Sequence, residues 1–186
     1  MRIGFAVCGS FCTFSKVFPV MADLSREHII TPIFSEAVYS TDTRFGSAVA
    51  HIDLAAELTG KVPLHSIVEV EPIGPKKLFD ILLIAPCTGN TLAKLAHGIA
   101  DGPVTMAAKS HLRNGRPVLV AVSTNDALNT AAGNIGKLMA QKHYYFVPFC
   151  QDDPQEKSCS MVADFSKIPQ ALEAAAKGQQ FQPVFI

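Results

Sequence analysis

The sequence predicts an α/β fold with a doubly wound, mainly parallel sheet flanked by helices, of the Rossmann-like or flavodoxin-like three-layer type. Apolar runs of strand length alternate with segments of helix length along the 186 residues, which is the pattern of repeated βαβ units. The run Ile81–Ala85 is apolar at every position, as in a central strand that helices cover on both faces. No linker or repeat interrupts the order, so we expect one domain over residues 1–186, with a core over about 2–150 and a C-terminal flap and helix over 151–186.

The predicted strands are short apolar runs bounded by turn residues or helix-length segments. In chain order they are Ile3–Cys8, Ile29–Phe34, a weaker short run at Ile67–Val70, Ile81–Ala85, Pro117–Val122 and Tyr144–Val147. The segments between and after them predict helices, since their apolar residues recur at helical spacing. These helices are expected at Phe14–Leu24, Arg44–Leu58, Thr91–His97, Val104–Arg113, Asn134–Lys142 and Pro169–Lys177.

Two of these helices contain further local signals. Pro19 lies inside the first helix, where a proline weakens or kinks the backbone. The second helix has an apolar stripe that predicts its buried face and a plausible stop at Gly60. The stripe consists of Phe45, Val49, Ile52 and Ala56.

Composition limits the classes of partner that the protein can have. Lys plus Arg and Asp plus Glu number 16 each, so the formal net charge is zero. This balance argues against a broad basic surface for nucleic acid or for an anionic membrane. Hydrophobic residues make up 48% of the chain and charged residues 17%. Because such a chain has little self-repulsion in solution, we expect copies of it to cover part of one another's apolar surface in a homo-oligomer.

The cysteine content and the absence of a targeting signal predict a cytoplasmic protein. The five cysteines are odd in number and form no C-x-x-C pair, which indicates a reducing compartment and argues against a disulfide framework or a structural zinc site. They are Cys8, Cys12, Cys87, Cys150 and Cys159. The apolar N-terminal run ends at Gly9 without a cleavage-site pattern, and no apolar run approaches the ~20 residues that span a bilayer.

Small polar residues follow three of the predicted strands, in Gly9–Thr13, Pro86–Thr91 and Ser123–Asp126. Ligands of doubly wound sheets bind outside the carboxyl ends of the strands. Hydroxyls, amides and helix N-termini in such loops can bind a phosphate without Lys or Arg. The three loops together therefore predict a mononucleotide site. Ordinary turn formation and helix capping are the alternative interpretation of each loop taken singly.

Several other types of site are disfavoured. The first loop lacks both the G-x-G-x-x-G fingerprint and the P-loop pattern, and no G-x-S-x-G element is present. No group of His, Cys and carboxylates has metal-ligand spacing. His51 alone on a helix is more often structural than catalytic. Asp53 and Glu57 are most simply a solvated helix face, and Asp152–Asp153 a mobile loop.

Two segments resemble the family of homo-oligomeric flavin-containing cysteine decarboxylases. Pro86–Thr91 resembles the family's PASANT motif, and the run Leu92–Asp101 is similar to its continuation. Ala50–Leu54 is similar to the family's active-site histidine segment, which implies a catalytic role for His51. The resemblance extends over about residues 2–150. It implies an FMN cofactor. The residues that hold it lie in the loops after Ile3–Cys8 and Ile81–Ala85 and directly after Ile29–Phe34. These are Gly9, Ser10, Ser35, Pro86, Thr88, Asn90 and Thr91.

The chain departs from the family at two places that concern catalysis. Where the family has a PAMN motif, this sequence has Val122–Asn125, so only Asn125 is retained. The family's substrate-clamping cysteine lies in a glycine-rich flap, whereas its counterpart here, Cys159, has no neighbouring glycine. Both departures argue against decarboxylation of a cysteine-derived substrate.

The run from His97 to Gly136 resembles one branch of the family, whose members make dipicolinate in sporulating bacteria together with a separate A subunit. That resemblance implies oxidation of a dihydrodipicolinate-type precursor, with NAD(P) on the A subunit and a trimer-based homo-oligomer. His51 and Asn125 would lie beside the substrate, and Arg44 and Lys94 flank the predicted site as candidate partners for a dicarboxylate. The alternatives are a phosphopantothenoylcysteine-type decarboxylase and a non-catalytic scaffold that binds the A subunit.

Overall fold

In a computed structural model that describes residues 1–186, seven strands form one sheet and eight α-helices pack around it. The strands are β1 (Arg2–Val7), β2 (Ile29–Phe34), β3 (Ile81–Cys87), β4 (Val118–Thr124), β5 (Tyr144–Phe146), β6 (Phe149–Asp153) and β7 (Lys157–Ala163). The helices are α1 (Phe14–Glu27), α2 (Glu36–Ser40), α3 (Ala48–Thr59), α4 (Ile67–Val70), α5 (Gly89–Ala96), α6 (Pro103–Leu112), α7 (Ala132–Met139) and α8 (Ile168–Ala176).

The sheet is parallel except at the edge formed by its last two strands. The strand order is β2-β1-β3-β4-β7-β6, and β5 also pairs with β4. Two strands pair with different parts of β4. Val118–Val120 pair in parallel with β5, whereas Ser123 and Thr124 pair antiparallel with β7. The predicted fold class is confirmed.

The core lies on both faces of the central strands. All residues of β3 are buried, and so are those of β4 up to Ser123. Consecutive residues of a strand point to opposite faces, so both faces of these strands are covered by helices, as the apolar run Ile81–Ala85 predicted. None of the helices is both long and apolar enough to cross a membrane.

The segment Ile67–Val70 is helix α4, so the prediction of a short strand there is wrong. A capping box decides the structure: the Ser66 Oγ accepts from the Glu69 N–H, and the Glu69 carboxylate accepts from the Ser66 N–H. This S-x-x-E pattern satisfies two backbone donors at a helix start, and it outweighs the β-propensity of the three β-branched residues in the segment.

The second long helix begins later and buries a different face than predicted. Ser47 caps α3 by accepting from the Ala50 N–H at 3.2 Å, so the helix starts at Ala48 instead of Arg44. Its buried residues are Ala48, His51 and Ala55, whereas Phe45 and Val49 of the predicted stripe are 45% and 64% exposed. The inward face therefore consists of His51 and two alanines, with Ile52 of the predicted stripe partly buried against the core.

Two further elements differ from the sequence prediction. Helix α1 continues through Pro19 to Glu27, with the proline on its exposed side. The segment predicted as a flap is an antiparallel hairpin of β6 and β7 that extends the sheet. Asp152 and Asp153 belong to β6 instead of a mobile loop, and Asp152 pairs with Lys157 at 2.9 Å.

Candidate functional site

A cavity of about 940 Å³ lies at the carboxyl ends of β1, β3 and β4. Three loops form one side of it, and we name each after the strand that it follows. The residues that they contribute are Gly9–Thr13 of the β1 loop, Thr88–Asn90 of the β3 loop and Ser123–Asp126 at the end of β4 and in the β4 loop. The rest of the lining comes from α1, the segment before α3 and the β6–β7 hairpin, which pairs with the end of β4. Its residues are Lys16, Arg44, Phe45, Asp152, Lys157 and Ser160–Val162.

Hydrogen bonds between hydroxyls connect the loops to one another. The Ser10 and Ser123 hydroxyls are 2.7 Å apart, so the β1 and β4 loops meet directly. Thr88 caps α5 by accepting from the Thr91 N–H at 3.4 Å. The Thr91 hydroxyl lies 3.1 Å from that of Thr88 and donates to the Cys8 Sγ at 3.4 Å, which ties the β3 loop to β1. Burial raises the pKa of the Cys8 thiol to about 11, so it stays protonated.

This cavity is lined by five of the residues that were predicted to bind the cofactor or to act in catalysis. They are Gly9, Ser10, Thr88, Asn90 and Asn125. The first four present backbone and neutral polar groups at two adjacent strand ends, and Asn125 adds an exposed side chain from the third. Sequence reasoning thus identified three loops that the structure brings together.

Two predicted cofactor residues, Pro86 and Thr91, lie outside the cavity lining. Pro86 is buried in β3, and its carbonyl accepts from the Cys8 N–H at 3.2 Å. Thr91 is buried in α5, where its hydroxyl makes the contacts described above. Both residues hold the β1 and β3 loops in place, which explains why they belong to the motif without touching the cavity.

Two other predicted residues also lie outside the lining. Ser35 is the residue before α2, and its N–H donates to the Val7 carbonyl at 3.0 Å, while its Oγ is buried without a partner. Cys159 lies on β7, and its carbonyl accepts from the Leu128 N–H at 3.1 Å. Lys157 and Ser160 of the same strand line the cavity, but Cys159 does not.

His51 is 6% exposed in α3 and is enclosed by aromatic rings instead of lining the cavity. Its ring packs edge-on against Phe14 at 4.9 Å and stacks on Phe18 at 5.9 Å between centroids, with Phe11 at 6.3 Å. Gly46, at φ 138°, leaves room for the ring, since a Cβ there would lie 2.8 Å from the His51 Cε1. The Nε2 atom has no hydrogen-bond partner, and burial lowers the pKa of the imidazole, so the ring is neutral at pH 7.

The start of α5 requires a residue without a side chain. A Cβ at Gly89 would lie 2.7 Å from both the Asp126 Oδ1 and the Thr124 Oγ1, and the Thr124 hydroxyl donates to that carboxylate. An acidic group therefore lies next to the N-terminus of α5, inside the cavity. The sequence contained Asp126 in a recognised loop but no signal that Gly89 is its spatial partner.

Sequence reasoning missed most of the lining outside the three loops. Only Arg44 was predicted there; Lys94, its predicted companion, instead pairs with Asp101 at 2.9 Å outside the cavity. From the β6–β7 hairpin the sequence predicted Cys159, whereas the residues that line the cavity are Asp152, Lys157 and Ser160–Val162. Pro154, between two short runs, is a turn signal that could have indicated the hairpin.

Comparisons with known proteins agree with this architecture. Residues 1–173 match the model of the Flavoprotein family, and the chain belongs to that family. It is 45% identical to the dipicolinate synthase B subunit of Bacillus subtilis (strain 168) over 186 residues, which are 100% of this chain and 93% of the relative.

Two solved structures resemble the whole chain. The dipicolinate synthase B subunit from Bacillus halodurans has a TM-score of 0.91 and 45% identity, covering 100% of this chain and 95% of that one. The FMN-dependent cysteine decarboxylase SpaF has a TM-score of 0.71 and 26% identity, covering 95% of this chain and 97% of that one.

Proposed function

We propose that this chain is the B subunit of a dipicolinate synthase and that it binds FMN in the cavity at the carboxyl ends of β1, β3 and β4. The cavity with its three connected loops, which are neutral apart from Asp126, is the observation on which the proposal depends. Identity of 45% over the full chain to the B subunit of a dipicolinate synthase supports the first part. Membership of the Flavoprotein family and the likeness to an FMN-dependent decarboxylase support the second.

The residues of the cavity fit a flavin mononucleotide. Its volume of about 940 Å³ is at the upper end of the roughly 300–1,000 Å³ of small-molecule sites. Gly9, Ser10, Thr88 and Asn90 offer N–H groups, hydroxyls and an amide for the phosphate and ribityl chain. The Asp126 carboxylate beside Gly89 favours the ribityl hydroxyls over the phosphate at the start of α5. Ser35 has a buried Oγ without a partner and lies outside the cavity lining, so its contact with the flavin ring stays a prediction. When bound, FMN would supply a two-electron acceptor.

We propose that His51, whose ring lies 6.3 Å between centroids from the cavity-lining Phe11, accepts a proton during dehydrogenation or interacts with a substrate carboxyl group. It is neutral at pH 7 because burial disfavours the charged ring, and its Nε2 has no hydrogen-bond partner. A neutral imidazole with a free nitrogen is a general base. Asn125, exposed in the cavity, would orient the same substrate by hydrogen bonds.

The overall reaction needs a final electron acceptor besides FMN and a partner subunit that binds this acceptor. Conversion of a dihydrodipicolinate to the aromatic pyridine dicarboxylate removes two electrons and two protons. We propose that NAD(P), bound by a separate A subunit, is the final electron acceptor, in the cytoplasm of a sporulating bacterium. The name of the relative, which is one of at least two lettered subunits, supports the existence of such a partner.

We also propose a homo-oligomer built from trimers. Phe45, Val49 and Leu54 are 45%, 64% and 37% exposed on α3 and the segment before it. These three side chains lie within ten residues of the sequence, and exposed apolar surface is typical of an interface between chains. The zero net charge of the chain is consistent with such association.

Replacement of His51 by Asn tests the catalytic role in the reconstituted pair of subunits. We expect turnover to fall roughly 10²- to 10⁴-fold, the usual contribution of a general base, with flavin binding and assembly retained. The matched control is His97→Asn, since His97 is exposed on the far end of α5 and outside the cavity. Unchanged turnover of the His51→Asn pair, with assembly intact, would contradict the catalytic role and favour a non-catalytic scaffold.

A decarboxylase is the second candidate function, because SpaF is 26% identical over nearly the whole chain. The hydroxyl residues Ser123 and Thr124 stand where the family's decarboxylation motif has other residues, which disfavours it. Release of carbon dioxide from a phosphopantothenoylcysteine-type substrate by the isolated protein would favour the decarboxylase.

A further inference from the structure

Two cations of the cavity have no ionic partner. Lys16 of α1 and Arg44 of the segment before α3 both line it. Neither takes part in any of the six ion pairs of the structure. The third cation of the cavity, Lys157, is neutralised by Asp152 at 2.9 Å. Lys16 and Arg44 are therefore the basic groups left free for an anionic ligand.

These two cations belong to segments other than the loops proposed for FMN. Apart from Asp126, the loops after β1, β3 and β4 present neutral groups to the cavity, and hydroxyl contacts such as Ser10 to Ser123 join them. The cations come instead from the two segments that enclose His51. Phe14 and Phe18 of α1 contact its ring on one side, and Gly46 lies against it on the other. Each of these segments contributes one cation to the cavity.

The remaining charges of the cavity indicate which anion fits. The Asp126 carboxylate lies on the loop side, beside Gly89 and the start of α5. Like charges repel, so a second carboxylate is favoured away from Asp126 and towards Lys16 and Arg44. A guanidinium can bind a carboxylate through two parallel N–H donors, and an ammonium binds it as a point charge. Two separate cations suit a ligand with two carboxylates better than one with a single negative group.

We propose that Lys16 and Arg44 bind the two carboxylates of a small dicarboxylic acid and so determine substrate specificity at this site. The proposal rests on the proposed function in so far as it takes the cavity to be the place of the reaction. Arg44 is held in part by its own neighbour, since its guanidinium carbon lies 4.8 Å from the Phe45 ring centroid. That contact limits the positions of the guanidinium before the ligand arrives.

Calorimetric titration of the full chain, free of flavin, tests the proposal with pyridine-2,6-dicarboxylate and pyridine-2-carboxylate as probes. We expect the wild type to prefer the dicarboxylate. Lys16→Ala and Arg44→Ala should each weaken its binding about tenfold, as for the loss of one charge-assisted contact. Arg44→Lys, which keeps the charge, should lose less. Lys94→Ala is the matched control, because Lys94 lies outside the cavity, and its affinity should equal that of the wild type.

A parallel titration with FMN separates this proposal from the proposed function. We expect Lys16→Ala and Arg44→Ala to bind FMN as the wild type does. An equal loss of FMN affinity would overturn the proposal, since the cations would then bind the FMN phosphate. Dicarboxylate binding that is absent in the wild type, or unchanged in both variants, would overturn it as well. Failure of the wild type to bind FMN would contradict only the proposed function.

Discussion

At the scale of single residues, the site depends on several side chains that fix each other's position. Gly89 leaves space for Asp126 and Thr124, Gly46 leaves space for His51, and Ser10 meets Ser123 across two loops. Each of these contacts joins parts of the chain that are distant in sequence or in separate elements. The cavity is therefore sensitive to the addition of one methyl group at either glycine.

We predict that Gly89→Ala destabilises the protein by about 1–3 kcal/mol, the usual cost of overpacking. The added Cβ would lie 2.7 Å from two side-chain oxygen atoms, so the Asp126 and Thr124 side chains must move and their mutual hydrogen bond is disturbed. Urea unfolding measures the effect. Gly133→Ala, where nothing lies within 4 Å of the new Cβ, is the control and should gain roughly 0.5 kcal/mol from helix propensity. Equal stabilities of the two variants would contradict the packing argument.

His111 makes the stability depend on pH. Burial lowers its pKa from 6.5 to about 4, and its Nε2–H donates to the Pro117 carbonyl at 3.1 Å. The unfolded chain binds a proton below pH 6.5 that the folded chain refuses until about pH 4, so the free energy of unfolding should fall as pH drops through this window. A shift of this size corresponds to about 3 kcal/mol in total.

Chemical unfolding at pH 7 and pH 4.5 measures the effect of His111. The control is His111→Gln, which keeps an N–H donor and does not titrate. The wild type should lose more stability than the variant between the two pH values. An identical loss in both proteins would show that this histidine does not cause the pH dependence.

At the scale of elements, helix starts and strand pairings decide where the functional side chains lie. Ser47 starts α3 at Ala48 and turns His51 inward, while Phe45 remains before the helix and Val49 outside. The β6–β7 hairpin brings Lys157 to the cavity by pairing Val162 with Ser123 of β4. Each of these features places one part of the cavity wall.

Helix α1 contains a proline that costs stability without ending the helix. Pro19 is exposed and lacks the N–H that would bond the preceding turn. We predict that Pro19→Ala raises the free energy of unfolding by about 1–2 kcal/mol, less than the full helix-propensity difference because the unfolded chain also gains freedom. Thermal unfolding measures it. Pro169→Ala, at the start of α8 where no bond is lost, should lower the free energy of unfolding by about 0.5 kcal/mol because only the freedom of the unfolded chain changes. A gain there equal to that of Pro19→Ala would contradict the explanation.

The sequence was informative about strands and loops but not about long-range partners. Ile81–Ala85 and the polar residues after it were predicted because a continuous apolar run and the residue types of a turn are local features of the sequence. The inward position of His51 among Phe14 and Phe18 depends on how two helices pack, which periodicity does not define. The partnership of Gly89 with Asp126 and the pairing of β7 with β4 are tertiary contacts with no local signal. The neutral loops were therefore predicted, and most of the charged side of the cavity was not.

At the scale of the whole molecule, the apolar composition and the exposed apolar residues point to association between copies. We predict that Val49→Asp lowers the oligomeric state, because a charge in an apolar interface must be desolvated. Sedimentation velocity measures the mass in solution. Asn129→Asp, which adds the same charge at an exposed polar residue, should leave the oligomer unchanged. An unaltered mass for Val49→Asp would place the interface elsewhere.

The arrangement of charge over the molecule agrees with the division of the cavity into two parts. The loops at the strand ends, neutral apart from Asp126, would hold the nucleotide, and the free cations of two other segments would hold a dicarboxylate. With equal numbers of acidic and basic residues, the chain has no overall field that would attract anions. Local placement of Lys16 and Arg44 then has to provide the attraction.

Flavin content is the most direct test of the central claim that this cavity is an FMN site. The purified protein is denatured, the supernatant is chromatographed, and a second sample of the native protein is titrated with added FMN. We predict that FMN is released at about one equivalent per chain, or that flavin-free protein binds added FMN to that level. Absence of flavin together with no binding of added FMN would contradict the account.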